Sequence, residues 1–261
     1  MLSLLLAMLW LLSACSTVPI TGRSQLNLIP DSQLLSMSYQ QYDEFLQSHQ
    51  VSRNTRQAQM VQRVGRDLQR AVERYFRRQN SLEAVEGYAW EFHLIESDDV
   101  NAWCMPGGKV VVYSGIMPIA QDETGLAVIM GHEIAHAIAE HGNERMSQAL
   151  LVELGGVALS KALEEKPQMT RSLWLQAYGL GAQIGAILPY SRLHELEADR
   201  MGLIFMAMAG YDPHAAVAFW ERMAAQGGPK PPEFLSTHPA DRNRIAKIQD
   251  IIPEAMQYYN P

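Results

Sequence analysis

The chain has 261 residues, of which 48 % are hydrophobic, and a formal net charge of −7. This length is sufficient for one domain of moderate size with a substantial core. The acidic balance, with a pI near 5.6, excludes nucleic acid as an expected partner.

The N-terminal segment has the features of a signal peptide. Residues 1–12 are almost wholly apolar but too few to span a bilayer, and small residues follow them. Residues 12–15 resemble a bacterial lipobox, which would make Cys15 the lipidated first residue of the mature protein. Because no Lys or Arg precedes the apolar run, an ordinary cleaved signal and a buried N-terminal helix stay open as alternatives. Ser16, rather than Asp, follows the cysteine, and by resemblance to lipoprotein sorting this favours the outer membrane.

The next part of the chain predicts a small sheet. Residues 90–94 alternate between apolar and polar side chains, and residues 109–113 are rich in valine, so both stretches are predicted as strands. Pro106–Gly108 predicts the bend between these two strands. A strand edge in this region could hold an extended peptide through main-chain hydrogen bonds, whereas a plain hairpin is the structural alternative. The predicted substrate contacts are Asn101, Ala102, Gly107 and Gly108.

The central feature of the sequence is a His-Glu-x-x-His pattern within residues 124–141, whose apolar residues recur at three- and four-residue spacing and predict a mostly buried helix. His132 and His136 are four residues apart, so both imidazoles lie on one face and can reach one metal ion. Glu133 lies about 100° round the helix, beside such a metal, where it could take a proton from water. The alternative is an ordinary helix that happens to carry two histidines.

A third ligand is expected because two imidazoles do not complete a zinc site. Glu195 and Asp199 are also four residues apart on a predicted helix, whereas Glu197 is rotated about 200° away from Glu195. Glu195 is therefore predicted as the third ligand, and Asp199 as the acceptor of the far N–H of one zinc histidine. Taken alone, this pattern also fits a solvated acidic helix face.

The residues just before this second helix are apolar and rich in Gly and Ala. Residues 172–188 are interrupted by Gln176 and Gln183 and stop at Pro189. They predict a close-packed core helix rather than a membrane span.

Four motifs in order resemble peptidase family M48, and in particular its small bacterial, Oma1-like lipoprotein members. They are Asn101–Gly108, the His-Glu-x-x-His run, Ser191–Asp199, and His238–Pro239 with Arg244 six residues after the histidine. The likeness covers roughly residues 55–250. It implies an α+β, predominantly helical zincin of the gluzincin type, with a small β-sheet beside the metal helix. The predicted organisation is a signal peptide over 1–15, a tether and helix over 16–50, and the peptidase domain over 51–261.

Together, spacing and resemblance predict one Zn²⁺ per chain, held by His132, His136 and Glu195, with Glu133 as general base. His238 is predicted to stabilise the oxyanion, with a helix-capping role as the alternative. Arg244 is expected to brace the site, and Arg192 to orient the carboxylate of Glu195.

The predicted function is zinc-dependent endoproteolysis by a protein anchored through lipid to the periplasmic side of the outer membrane. By resemblance alone, its substrates would be unfolded or misfolded envelope proteins, and outer-membrane assembly machinery would be a partner. The alternative is an envelope chaperone or assembly scaffold that binds extended polypeptides with little cleavage. An intact Glu133 favours the enzyme, because binding alone does not require it.

Overall fold

The computed structural model describes residues 15–53, 55–164, 166, 168–182, 188–227, 232–239 and 242–260. Residues 1–14 of the predicted signal peptide therefore lie outside the described residues. Its last residue, Cys15, begins the first strand. Contacts divide the chain into two units. One comprises the described parts of Met1–Asp31 and Glu140–Glu195, and the other those of Ser32–Ala139 and Leu196–Pro261.

The first unit contains a two-stranded antiparallel hairpin and long helices. Strands β1 (Cys15–Thr17) and β2 (Ser24–Leu26) pair with each other. The helices, in our numbering, are α5 (His141–Ala162), α6 (Gln168–Ala182) and the first turns of α7 (Leu188–Met208).

Polar side chains of α5 hold the segment that follows the hairpin. The Leu28 N–H donates to Ser147 Oγ at 2.8 Å, and the Asn143 side-chain amide donates to the Ile29 carbonyl at 2.8 Å. The residues after β2 are therefore fixed to the first two turns of α5.

Beyond Ser147, helices α5 and α6 have no buried side chain among the residues that the structure describes. Large apolar side chains are instead exposed, including Leu154 (56 %), Val157 (61 %), Met169 (77 %) and Trp174 (58 %). The prediction of a close-packed core helix over residues 172–188 is therefore wrong for its described part, since the described side chains among residues 172–179 are exposed or half-buried. In the described part of the chain, no helix is long and apolar enough to cross a membrane.

The second unit is built on a four-stranded sheet of order β3-β4-β6-β5. Strand β4 runs parallel to β6, whereas β5 runs antiparallel to β6 and forms an edge. The strands are β3 (Val51–Ser52), β4 (Glu91–Ile95), β5 (Ala102–Met105) and β6 (Lys109–Tyr113). The predicted bend at Pro106–Gly108 between β4 and β6 is therefore wrong, because this turn joins β5 to β6 and parallel strands cannot be joined by a tight turn. Val110, Val111 and Val112 are fully buried, which explains why the valine-rich run forms an inner strand.

Helices accompany this sheet. They are α1 (Asp31–Ser48), α2 (Arg56–Arg78), α3 (Met117–Ala120), α4 (Glu123–Ile138), the remainder of α7, α8 (Ala215–Ala224), α9 (Glu233–Thr237) and α10 (Arg242–Ala255). The predicted class, α+β and predominantly helical with a small sheet, is confirmed.

Helix α4 is the predicted metal helix. Asp122 caps its N-terminus by accepting a 2.8 Å hydrogen bond from the Gly125 N–H. Every residue from Gly125 to Ile138 is buried, as its apolar periodicity on most faces predicts. The helix ends at Ile138, and Glu140 adopts a left-handed conformation with φ of 55° that separates α4 from α5.

Two glycines set the approach of α4 to α7. A Cβ on Gly202 would lie 2.8 Å from the His132 backbone nitrogen, and one on Gly131 would lie 3.0 Å from the Gly202 carbonyl oxygen. The two backbones are therefore too close for any side chain at their crossing. Gly131 directly precedes His132, so this crossing lies next to the first predicted metal ligand.

Gly202→Ala should lower the melting temperature, because the new methyl group would force α7 away from α4. Overpacking of this kind costs about 1–3 kcal/mol, and each kcal/mol lowers Tm by roughly 2–4 °C in a chain of this size. The control is Gly179→Ala on α6, where a Cβ would meet nothing within 4 Å. Thermal unfolding of both variants tests the crossing, and equal melting temperatures would contradict it.

Candidate metal centre

The two histidines of α4 face each other through their Nε2 atoms, which lie 3.1 Å apart. His132 is 1 % exposed and His136 is 6 % exposed, so both rings lie inside the protein. The four-residue spacing thus produces the shared face that the sequence predicts. Two buried imidazoles with converging nitrogens require either a proton between them or a cation.

The other ring nitrogen of His132 contacts an acid on α7. Its Nδ1 lies 3.0 Å from Asp199 Oδ1, and the carboxylate is 3 % exposed. An Nδ1–H that donates to this carboxylate leaves Nε2 with a lone pair directed at His136. This is the orientation that a metal-binding imidazole needs, and it agrees with the predicted position of Asp199.

Arg244 on α10 supplies further hydrogen-bond donors to this carboxylate. Its Nε and Nη2 donate to the two oxygens of Asp199, both at 2.8 Å, and its Nη1 donates to the Pro239 carbonyl at 3.2 Å. The guanidinium carbon also lies 3.7 Å above the ring of Trp220. Arg244 therefore braces both Asp199 and the segment that carries His238.

Electrostatics keep Asp199 ionised. Burial raises the pKa of this carboxyl group, but the charge of Arg244 and hydrogen bonds from His132 and Arg244 outweigh it, so that the net shift is downward. A carboxylate that stays negative at neutral pH is a strong acceptor for the His132 N–H.

His238 follows α9 and points at the same place. Its Nδ1 lies 3.2 Å from His132 Nε2, and its ring stacks on Phe234 with centroids 4.5 Å apart. Its backbone N–H donates to the Phe234 carbonyl, so the residue ends α9. The catalytic role of His238 and its alternative role as a helix cap both stay predictions.

Glu133 lies beside these nitrogens rather than among them. Its Oε1 is 4.0 Å from His132 Nε2 and 3.7 Å from His238 Nε2, and the residue is 4 % exposed. This offset is what the position of residue 133, one step round the helix from His132, predicts. A carboxylate so placed is within reach of a small molecule bound between the histidines.

One carboxylate completes the set of donors. Glu195, the residue at which the first unit ends inside the continuous helix α7, is 9 % exposed. Among the described residues, His132, His136, Glu195 and His238 each offer one ligand atom, and these atoms all lie within 4.8 Å of one another. The sequence prediction thus names three members of this group as ligands and the fourth as a catalytic donor.

The spacing of the donors fits zinc. With Zn–N bonds of about 2.0–2.1 Å, two nitrogens on a tetrahedral ion lie about 3.3 Å apart. The nitrogen of His132 lies 3.1 Å from that of His136 and 3.2 Å from that of His238. Three imidazoles and a carboxylate are also the nitrogen and oxygen donors that zinc accepts.

The other predicted site residues lie on α7 and in the segment around strand β5. Arg192 is exposed on α7, and its part in orienting Glu195 stays a prediction. Ala102 begins the edge strand β5, and Asn101 bonds β6 by accepting from the Tyr113 N–H at 3.0 Å. Gly107 and Gly108 have φ of 85° and 79° and form the turn into β6.

The glycines of this turn have structural reasons of their own. A Cβ on Gly107 would lie 2.4 Å from the Tyr39 ring, and one on Gly108 would lie 2.4 Å from the Trp90 ring. Their direct contact with a substrate therefore stays a prediction, while the turn and its tight packing account for both residues.

Sequence reasoning missed Trp220, which stacks on Arg244. It comes from a helix with no motif, and nothing in its spacing identifies it. Cys104 lies in β5, where burial and the charge of Glu133 raise the pKa of its thiol.

A profile of peptidase family M48 matches residues 62–252. The chain therefore belongs to peptidase family M48, as the four motifs predict. It is 37 % identical to the mitochondrial metalloendopeptidase OMA1 of Schizosaccharomyces pombe over 186 residues, which cover 70 % of this chain and 53 % of that protein. It is 30 % identical to the human OMA1 metalloendopeptidase over 247 residues, which cover 92 % and 46 % of the two chains.

A bacterial relative is similar as well. The β-barrel assembly-enhancing protease of Escherichia coli K12 is 28 % identical over 182 residues, covering 62 % of this chain and 34 % of that protein. The predicted likeness to Oma1 is confirmed by these matches. The chain spans about half the length of the OMA1 relatives and about a third of this bacterial one.

The donor set predicts different effects for two acids on α7. Glu195→Gln should lose bound zinc, because a neutral amide is a weak zinc ligand. Glu197→Gln is the matched control, since Glu197 is also buried, at 5 % exposure, but is outside the group of four donors. Metal analysis of the folded, dialysed variants measures the effect, and full zinc occupancy in Glu195→Gln would exclude this residue as a ligand.

Proposed function

We propose that this chain is a zinc-dependent endopeptidase. The observation that carries the proposal is the group of four donors with a buried carboxylate beside it, in a chain of peptidase family M48. His132, His136 and Glu195 would hold the zinc ion. When bound there, zinc supplies Lewis-acid polarisation of the scissile carbonyl and lowers the pKa of an attacking water.

Glu133 performs the proton transfers in this proposal. Its carboxylate takes a proton from the attacking water and delivers it to the nitrogen of the leaving amine. Its distances of 3.7 Å and 4.0 Å from the ring nitrogens of His238 and His132 keep it off the donor set but close to it. Burial of this carboxylate removes competing solvent from the proton path.

His238 has a different part. Catalytic zinc sites keep one position open, and four protein ligands would fill a tetrahedral ion. We therefore assign three ligands to the metal and give His238 the role of donating a hydrogen bond to the oxyanion. Arg244, which bonds the Pro239 carbonyl, holds this histidine's segment in position.

The substrate is proposed to be an extended polypeptide. Strand β5 is an edge whose outer backbone groups have no partner strand in the described sheet, and Glu133 contributes to the electrostatic environment of Cys104 on that strand. An added strand would bond to this edge through its main chain, which favours unfolded segments of any sequence. Unfolded or misfolded envelope proteins are the proposed natural substrates.

The proposed location is the periplasmic face of the outer membrane, through lipid on Cys15. Two features support a membrane surface. Residues 12–15 resemble a lipobox, and large apolar side chains such as Val157 and Trp174 are exposed in the unit that begins with β1. Exposed apolar patches mark interaction sites on proteins. The name of the E. coli relative concerns β-barrel assembly, and we propose assembly machinery as a partner for this chain on that basis.

Glu133→Gln should retain zinc and fold but lose nearly all cleavage of an unfolded protein. General acid–base catalysis contributes about 10²–10⁴-fold, and this residue would act in both halves of the reaction. The measurement is turnover of a fluorogenic unfolded substrate, with zinc content and Tm determined in parallel. A chaperone or scaffold would instead bind the substrate equally well in both forms and cleave it in neither, so near-normal or equally absent turnover overturns the proposal.

Cys15→Ala should move the protein from the membrane pellet to the soluble fraction, or leave it unprocessed, because position 15 would no longer have a thiol to carry the lipid. Cys104→Ala is the control, since it removes the other cysteine and should fractionate like wild type. Metabolic labelling with a fatty acid would report the lipid directly. If Cys15→Ala is pelleted and labelled like wild type, the anchor is wrong.

A further inference from the structure

A chain of three buried or half-buried polar side chains joins the N-terminal hairpin to the residue that precedes Glu195. Arg23, at the end of the turn before β2, forms a bidentate pair with Glu144 on α5, with N–O distances of 2.8 Å and 2.7 Å. The other end of the chain is on α7, where His194 Nε2 lies 2.8 Å from Glu144 Oε2. All three residues belong to the first unit.

The chain is inside the protein. The side chains of Glu144 and His194 are 3 % and 1 % exposed, and that of Arg23 is 17 % exposed. Burial raises the pKa of Glu144, but hydrogen bonds and charges from His194 and Arg23 bring it down to about 2. The Glu144 carboxylate is therefore negative at neutral pH, and its bonds are charge-assisted.

His194 is fixed in two directions. Glu144 contacts the Nε2 atom at the edge of the His194 ring. His141 stacks on the face of the same ring, with centroids 4.2 Å apart and an interplanar angle of 14°. A ring held both at its edge and on its face fixes the rotation of the helix that carries it.

The next residue on that helix is Glu195. The described side chains just before it, Arg192 and Leu193, are exposed, so His194 is the buried contact at this end of the ligand turn within the described residues. A helix rotation of about 10° would move an atom about 6 Å from its axis by about 1 Å. Zinc sites tolerate only about 0.2 Å in bond length, so the rotation of α7 at this point decides whether Glu195 can bind.

We propose that Arg23, Glu144 and His194 form a positioning chain that holds the Glu195 carboxylate in place for the metal. The inference rests on the proposed function, because it takes Glu195 as a zinc ligand. It assigns no direct contact with substrate or metal to the three residues.

The chain itself offers a matched control. Arg200 on α7 also forms a bidentate pair with a glutamate, Glu254, through its Nε and Nη2 atoms at 2.9 Å and 2.7 Å. The side chains of Arg200 and Glu254 are 35 % and 37 % exposed, so they form a surface pair, and Arg200 lies five residues beyond Glu195 on α7. Surface pairs of this kind contribute little.

The test measures zinc release from the full-length zinc-loaded protein into an excess of chelator. Arg23→Ala should release zinc roughly 10–100-fold faster than wild type, the range typical of lost ligand support. The zinc release rate of Arg23→Lys should lie between those of wild type and Arg23→Ala, because lysine keeps the charge but lacks the planar guanidinium group. Arg200→Ala should stay within about twofold of wild type.

Hydrogen exchange of the zinc-free proteins supplies a second readout. Amides around Glu195 should exchange faster in Arg23→Ala than in wild type or Arg200→Ala. If Arg23→Ala fails to fold, Arg23→Lys and Glu144→Gln provide the same comparison with smaller perturbations. A folded variant of this set with a lowered Tm but wild-type zinc release would show a purely structural role and overturn the inference.

The outcome separates this inference from the proposed function. If wild type binds zinc, Glu195→Gln does not, and Arg23→Ala releases zinc like wild type, only the positioning chain is wrong. If Glu195→Gln holds zinc like wild type, the ligand set itself fails, and the positioning chain fails with it.

Discussion

The close crossing of α4 and α7 is the constraint on which the centre depends. Gly131 and Gly202 bring the two backbones so near that a Cβ on either would meet main-chain atoms at 2.8–3.0 Å. His132 follows the first glycine directly, and Asp199 precedes the second by three residues, close to one helical turn. The contact of 3.0 Å between them follows from this crossing. A larger residue at either position would separate an imidazole from the acid that orients it.

Once two helices are this close, their polar groups have to be satisfied without water. The Asp199 carboxylate uses both oxygens on Arg244, and one of them also faces His132. Arg244 in turn stacks on Trp220 and bonds the Pro239 carbonyl. Each member of this network thus has its charge or its hydrogen bonds compensated, which is the condition under which buried ionic groups are tolerated. The network also directs Nε2 of His132 towards His136 and His238.

The reactive groups come from segments far apart in the chain, and each has its own support. Helix α4 is fixed by its burial, and the His238 segment by stacking on Phe234 and by the bond from Arg244. The ligand turn of α7 contacts Glu144, which Arg23 pairs with in turn. Residues that take no part in the chemistry therefore determine whether the donor atoms are positioned to within the few tenths of an ångström that metal binding requires.

Much of the centre could be predicted from the sequence, for a physical reason. Spacing within one helix converts directly into geometry, so the shared face of His132 and His136, the offset of Glu133 and the relation of Glu195 to Asp199 follow from the helical repeat. The α+β class and the family were predicted correctly by local patterns and by four ordered motifs. The two predicted strands correspond to Glu91–Ile95 and Lys109–Tyr113, but their parallel pairing was not predicted.

Only the tertiary structure decided the contacts between segments. The cation–π contact of Trp220, the bond from Arg244 to Asp199 and the chain from Arg23 to His194 join residues that lie from about 24 to 170 positions apart. No local repeat encodes such pairs. The apolar run that begins at residue 172 shows the same limit, because its composition suits either a core or an exposed face, and its described side chains are exposed or half-buried. The sequence by itself thus determined which groups share a helix face, and the fold determined which faces meet.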